Sequence, residues 1–332
     1  MAYSNIGTPR FYINVVEWLS SNNAIELDGG SNWNNSVWNT LPVEKQNYQS
    51  NYIDGYTHDI RTNGLLNWRA DGKVFLALLG ANINPGSWSM YHDDVQYFSN
   101  AITSIANMPQ LGSEDGFGGV GVYSGFHIGE FSHYGVNDFA LKIKTSDAGK
   151  YIGSIVLGTY YDMPHSPDLK LTMTREMDGV KRIRTKGGAD LVKHQYIKPA
   201  MWGDAGAWEL YEDTPVDREL SRAGRRGWGL SFNYLQDSDI FPEISNLSWA
   251  EAYYNGTPYD ASTAAGKTLL DDDTFYGQVI HRTNGGQLPF IFQPDVNNNN
   301  DFAIAKFDMK EFKFKQVANG VYNMKLKIRE VW

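Results

Sequence analysis

Between Phe312 and Arg329 the chain alternates, residue by residue, between large apolar and polar or charged side chains. Phe312 and Phe314 are interleaved with Lys313 and Lys315. After Ala318-Asn319-Gly320 the pattern resumes, with Tyr322, Met324, Leu326 and Ile328 set against Asn323, Lys325, Lys327 and Arg329. Period two is the period of a pleated strand, which sends successive side chains to opposite faces. Asn-Gly supplies the positive φ that a tight hairpin turn needs. The segment from Phe302 to Trp332 therefore reads as a hairpin with one face in a core and one in solvent. A chain that stops on such a strand is expected to end inside a sheet, which suits a building block better than a free enzyme. Lys313, Lys315, Lys325 and Lys327 on the solvent face are candidate contacts for an acidic surface on a neighbouring copy.

The rest of the composition points the same way. Length, at 332 residues, allows one large or two ordinary domains. Thirty-three glycines combined with 14% aromatic residues favour an all-β architecture, in which turns recur and rings pack on pleated faces. A net charge of −9 argues against nucleic acid or an acidic membrane as partner. The charge is uneven, basic over 306–329 and acidic at Asp271-Asp272-Asp273, which suits either head-to-tail contact between copies or ordinary solvated faces. No cysteine is present, so disulfides, thiolate metal sites and cysteine nucleophiles are excluded. Neither a basic and apolar leader nor a run of 18 apolar residues is found, and synthesis in a cytosol without export is expected.

Strand signals recur along the chain. Phe11 to Leu19 fits a strand or a short helix, and Val74 to Leu79 is a compact apolar strand. Val95 to Met108 has the best helix-compatible spacing in this half, and Gly112 to Gly129 reads as turns between short strands. Phe139, Leu141 and Ile143 alternate with polar residues, and Tyr151 to Leu157 has the look of a buried strand. The pattern predicts a jelly roll or β-sandwich over 1–172. Two prolines within Asp162 to Asp168 cannot continue a central strand and mark its exit. A β-rich domain is expected over 173–332. Leu169, Leu171 and Met173 alternate across the boundary, and the second domain would include a basic segment Lys181 to Lys186 leading into Gly187-Gly188 and alternating Trp228, Leu230, Phe232 and Tyr234. Tyr253 to Gly277 reads as polar loop, and Leu288 to Gln293 as an apolar strand before the terminal hairpin.

Candidate chemistry is thin. Ala261 to Thr268 fits a permissive phosphate-loop pattern, but the residues before it cannot make the buried strand such a loop requires. Asp295, Asn297, Asn299 and Asp301 open like a calcium loop, yet Asn300 and Lys306 stand where glycine and glutamate belong. His127, Glu130 and His133 would converge on zinc only on a helix, and Gly125 and Gly129 favour extended chain. Asp93-Asp94 and Glu114-Asp115 are carboxylate pairs of a kind that chance supplies in an acidic chain. No catalytic residue, metal or cofactor is assigned. Trp33, Trp38, Trp68, Trp88 and Tyr91 lie in or beside polar loops, where exposed rings could stack on sugars or simply cover the sandwich ends.

Several segments together resemble tailed-bacteriophage tail-tip or baseplate structural proteins. They are Tyr151 to Gly158, Tyr161 to Leu169, Thr185 to Gly188, Arg226 to Phe232, Leu288 to Phe292 and Phe307 to Val331. In that family a jelly roll resembling galactose-binding domains precedes a β-rich tail-assembly domain. The likeness spans about 120–332 and is one of pattern, without catalytic residues. It implies a non-enzymatic virion component assembled in the host cytoplasm. Its partners would be copies of itself, other phage tail proteins and host-surface glycans, with no nucleic acid and no membrane. The alternatives are a glycan-active enzyme and a capsid decoration or neck protein.

Overall fold

The structure, a computed structural model, describes residues 6–24, 26–27, 38–41, 57–61, 73–79, 88–94, 103–104, 127–132, 139–145, 153–177, 180–194, 201–202, 205–206, 224–241, 273–298 and 301–331. Among these the chain is all-β, with few helices. In chain order its first strands are β1 (Arg10–Asn14), β2 (Glu26–Leu27), β3 (Thr57–Arg61), β4 (Lys73–Leu79) and β5 (Trp88–Asp94). They are followed by β6 (Thr103–Ser104), β7 (His127–Ser132), β8 (Phe139–Thr145) and β9 (Ser154–Asp162). The second half contributes β10 (Thr172–Glu176), β11 (Val180–Arg184), β12 (Asp190–His194), β13 (Met201–Trp202) and β14 (Ala205–Gly206). The last are β15 (Arg225–Gln236), β16 (Phe290–Gln293), β17 (Ala303–Phe307), β18 (Phe314–Ala318) and β19 (Val321–Glu330).

A ten-stranded sheet runs in the order β10-β15-β19-β17-β16-β1-β9-β4-β7, with β18 added on β19. A five-stranded sheet has the order β2-β3-β8-β5-β6, and β11-β12 and β13-β14 form hairpins of their own. The described pairings are all antiparallel. The division expected at residue 172 does not separate two sheets. β1 pairs with β9 on one edge and with β16 on the other, so both halves of the chain share one ladder. That pairing joins residues far apart in sequence, which no local pattern reveals.

The central strands are buried on both faces. Phe11 and Ile13 enter one apolar cluster with Phe290, Phe292, Ala303 and Ala305, while Tyr12 enters another with Ile291, Ile304, Phe75 and Val156. Hence Phe11-Tyr12-Ile13 and Phe290-Ile291-Phe292 read as continuous apolar runs, whereas β19 alternates. Each such side chain contributes about 1.5–3 kcal/mol by leaving water. Phe11 sits among Phe292, Phe290 and Phe275, with ring centroids 5.3, 5.5 and 5.6 Å away. Close strand approach requires Gly158, where a Cβ would lie 1.8 Å from the Ile13 carbonyl oxygen.

The run Phe11 to Leu19 is both of the things it was expected to be in the alternative: β1 passes directly into helix α1 (Val15–Ser21). Asn14 makes the switch. Its side-chain oxygen accepts from the Glu17 backbone N–H at 3.1 Å, capping the helix. Glu17 is buried, and its carboxylate accepts from the Thr40 hydroxyl at 2.6 Å, the Thr40 N–H at 3.0 Å and the Asn14 amide at 3.2 Å. Burial pushes its pKa up, and the Thr40 bonds only partly offset this.

The terminal hairpin forms as the alternation indicates. Met324, Leu326 and Ile328 are buried, and the turn residue Gly320 has φ +66°. Phe312 lies before β18 rather than in it, its ring edge-on to Phe307 at 5.1 Å. In β15 the expected alternation holds through Trp228, Leu230 and Phe232, then breaks at a bulge. Tyr234 takes φ +64° and turns outward, and Leu235 fills the core instead. Only 273–277 of the expected polar loop Tyr253–Gly277 are described. There Phe275 is buried and leads into a π-helical turn, Tyr276–Ile280, whose Val279 and Ile280 cover the core. The expected helical stretch Val95–Met108 lies outside the described residues except for β6.

A buried ion cluster ties down the last strand. Glu330 accepts from the Arg226 backbone N–H at 2.8 Å and from its guanidinium at 3.0 Å. The same guanidinium reaches Asp301 at 2.6 Å and also the Phe302 carbonyl. Replacing Glu330 by Ala leaves the buried Arg226 guanidinium with Asp301 and the Phe302 carbonyl but takes the acceptor from its backbone N–H, and is expected to cost about 3 kcal/mol in denaturant unfolding. The double variant Arg226→Met/Glu330→Leu should lose much less; equal losses would contradict this account. Glu17→Gln tests the second buried carboxylate. Because the folded state holds the Glu17 proton more tightly, wild-type stability is fully present below the ordinary value of 4.5 and falls as pH rises. The Gln variant should therefore melt higher than wild type at pH 7, with the gap closing near pH 4.5. A pH-independent gap would refute that.

Candidate functional site

The four lysines singled out from the alternation do converge. Lys325 lies opposite Ser231 and Lys327 opposite Gly229 across the β15–β19 ladder, and Lys315 lies opposite Asn323 across β18–β19. All four lysines are exposed on the face opposite the core. Thr172 of β10, paired with Gly229, extends the same face. Lysines two apart on one strand stand about 7 Å apart, so the face presents a regular cationic row.

This face is the floor of an open trough of about 1370 Å³. The small residues Gly229 and Ser231 keep β15 low in its middle. A Cβ on Gly229 would meet only Thr172, at 3.5 Å. One wall is the segment Pro167 to Lys170 and the other is Met309 to Lys313. The walls bring in Lys170 and Lys310, which strand alternation could not reveal because both are loop residues. Six lysines and two carboxylates, Asp168 and Glu311, line the trough, a net charge of +4. In a chain of net −9 this is a pronounced reversal of sign.

The carboxylates are occupied by local structure. Asp168 donates its N–H to the Ser231 carbonyl at 2.7 Å, and its carboxylate accepts from the Asn233 amide, which fixes that wall to β15. Glu311 pairs with Lys313 at 2.7 Å, and hydrogen bonding to it raises the Lys313 pKa. Among the described residues Lys315, Lys325 and Lys327 form no ion pair, so the row faces solvent as cations. Such a surface can hold an elongated anion by charge and by the Ser231, Thr172 and Asn323 polar groups beneath it.

The other expected sites resolve differently. Trp38 is only 2% exposed, and its carbonyl accepts from the Asn14 amide at 3.0 Å. Its ring belongs to the core and cannot stack on a sugar, which corrects the expectation for it. Trp88 and Tyr91 lie on strand β5, paired with Thr145 and Lys142, rather than in a loop. Trp33 and Trp68 lie outside the described residues, as do Ala261 to Thr268 and Glu114-Asp115. His127 and Glu130 are on strand β7, in the extended chain that spoils zinc spacing, and His133 is outside the described residues. Asp295 accepts from the Asn297 N–H at 3.0 Å and its amide at 3.1 Å, while Asp301 faces Arg226, so the calcium-like run is partly consumed by its own turn. Among the described residues no group of three or more His, Cys, Asp or Glu could hold a metal ion. No described helix is long and apolar enough to cross a membrane.

One polar cluster went unread in the sequence. Arg10 pairs with both Asp162 and Glu130, and the Tyr12 hydroxyl donates to Glu130 at 2.7 Å and lies 3.0 Å from the Gln293 side chain. Burial lowers the Arg10 affinity for its proton, but the Asp162 bond, the Tyr12 hydroxyl and the Glu130 charge together outweigh this and the net shift is upward. Burial and the Glu130 charge both push the Tyr12 phenol up. These bonds clamp β1 to β7 and β9. No protein-family model, curated protein or solved structure matches the chain.

The trough's charge is directly testable. Lys325→Glu together with Lys327→Glu should leave the melting temperature nearly unchanged, since both side chains are exposed. The pair should abolish retention on immobilised heparin, used as a generic polyanion, at low salt. Undiminished retention would show that the trough is not the cationic focus.

Proposed function

We propose that the chain is a non-enzymatic structural subunit of a tailed-phage tail tip or baseplate, assembling with copies of itself and with other tail proteins. The jelly-roll reading of 1–172 and the assembly role of 173–332 are parts of the same proposal, as is a place in the virion tail after assembly in the host cytoplasm. The observation that carries it is the basic trough on the outer face of β15 and β19 in an otherwise acidic, all-β chain. A sheet that displays Lys315, Lys325 and Lys327 with no ion pair among the described residues suits an acidic surface of a neighbouring subunit, where charge selects register and partner. The segments that resemble tail proteins coincide with β9, β15, β16, the β11-β12 turn and the β18-β19 hairpin. Host-glycan contact has lost one of its supports with the burial of Trp38 and rests on the remaining aromatic residues.

Sedimentation velocity across a salt series tests the assembly. Oligomers are expected at low ionic strength and should dissociate as screening shortens to about 8 Å near 0.15 M. A monomer at every salt and protein concentration would contradict the proposal. Peptides of the chain should also be found in purified tailed particles, and their absence would remove the virion assignment.

A further inference from the structure

The hairpin β11-β12 has no place in either large sheet. Its strands pair only with each other among the described residues, in the register Val180↔His194 to Arg184↔Asp190. It nonetheless has a finished turn: Thr185 donates its N–H to the Ala189 carbonyl at 2.8 Å, and Gly188 takes φ +85°. Arg182 reaches Asp190 at 3.1 Å across the strands. An isolated two-stranded hairpin is marginal in water, and this one exposes what a third layer would cover. Ile183 and Leu191, a directly opposed pair, are 63% and 60% exposed, and Val180 and Val192 are also exposed. The arm leaves the body beside β10, the last strand of the ten-stranded sheet. Exposed Met177 lies at its base, where a Cβ on Gly224 would lie 3.0 Å from the sulfur.

We propose that this arm is an assembly element that packs against a second copy of the chain. Charge argues for the occupant. Residues 180–194 carry five cations and one carboxylate, a net +4 in a chain of net −9, so the remaining residues carry −13. A basic arm with an apolar centre is attracted to the acidic remainder of another copy, whereas the equally cationic trough would repel it. Donor and acceptor surfaces differ, so the contact is satisfied by reciprocal exchange in a dimer or head-to-tail around a ring. The inference rests on the self-assembly proposed above but uses a separate surface.

The test compares wild type with Ile183→Thr/Leu191→Thr, substitutions that keep β propensity while removing the apolar centre. In sedimentation velocity the variant should associate at least about tenfold more weakly than wild type, with an unchanged melting temperature. Oligomers that survive this variant but are lost with Lys325→Glu/Lys327→Glu would overturn the arm and leave trough-driven assembly standing. A wild type that stays monomeric would overturn both. Hydrogen exchange on wild type gives a second readout free of folding defects. Amides of 181–193 should slow as protein concentration rises, and concentration-independent rates would overturn the proposal.

Discussion

The two ladders that β1 forms, to β9 on one edge and β16 on the other, are what the rest of the large sheet depends on. Both edges and both faces of this strand are consumed, so its five residues connect the N-terminal strands β9, β4 and β7 to the C-terminal strands β16, β17 and β19. The Arg10 clamp to Asp162 and Glu130 locks one end of the strand, and Asn14 turns the chain into α1 at the other. At the far side of the sheet, Glu330 and Arg226 hold β19 against β15 in the same manner. The trough is built on that fixed pair, which is why its lysines can stand in a defined row.

What the sequence revealed, and what it hid, follows from the range of the interactions involved. β19 was legible because one of its faces is solvated, so period two is written in its residues. β16 was legible as a strand and β1 as a strand or short helix, but not as neighbours, since a strand buried on both faces carries no mark of its partner. The outward turn at Tyr234 was hidden because a bulge shifts the alternation by one residue without altering composition. Phe275 to Ile280 escaped because a short π-helical turn has no recognisable period. Of the candidate site, the four strand lysines were readable from alternation. Lys170 and Lys310 were not, since loops are brought to the trough by Asp168 bonding Ser231 and by Asp308 donating its N–H to the Lys327 carbonyl at 2.8 Å. Trp38 was misplaced for a related reason: its loop-like surroundings in sequence conceal a hydrogen bond to Asn14 that draws it into the interior.

Trough and arm share a logic. Each gathers positive charge on a chain that is acidic elsewhere, and each does so on well-formed antiparallel structure. The trough combines six lysines with an apolar lining that includes the exposed Leu169, and its charge sets orientation and rate of encounter. The arm adds exposed Ile183 and Leu191, which supply the apolar area that charge alone lacks. Two cationic surfaces of different character on one acidic subunit suit a repeating assembly in which each copy is both donor and acceptor.

Electron cryomicroscopy of tailed particles that contain the chain tests this account most directly. The account places an acidic segment of a neighbouring subunit in the trough between Pro167–Lys170 and Met309–Lys313, against Lys325 and Lys327. A chain found in the particle with that trough open to solvent, or a particle without the chain, would contradict it.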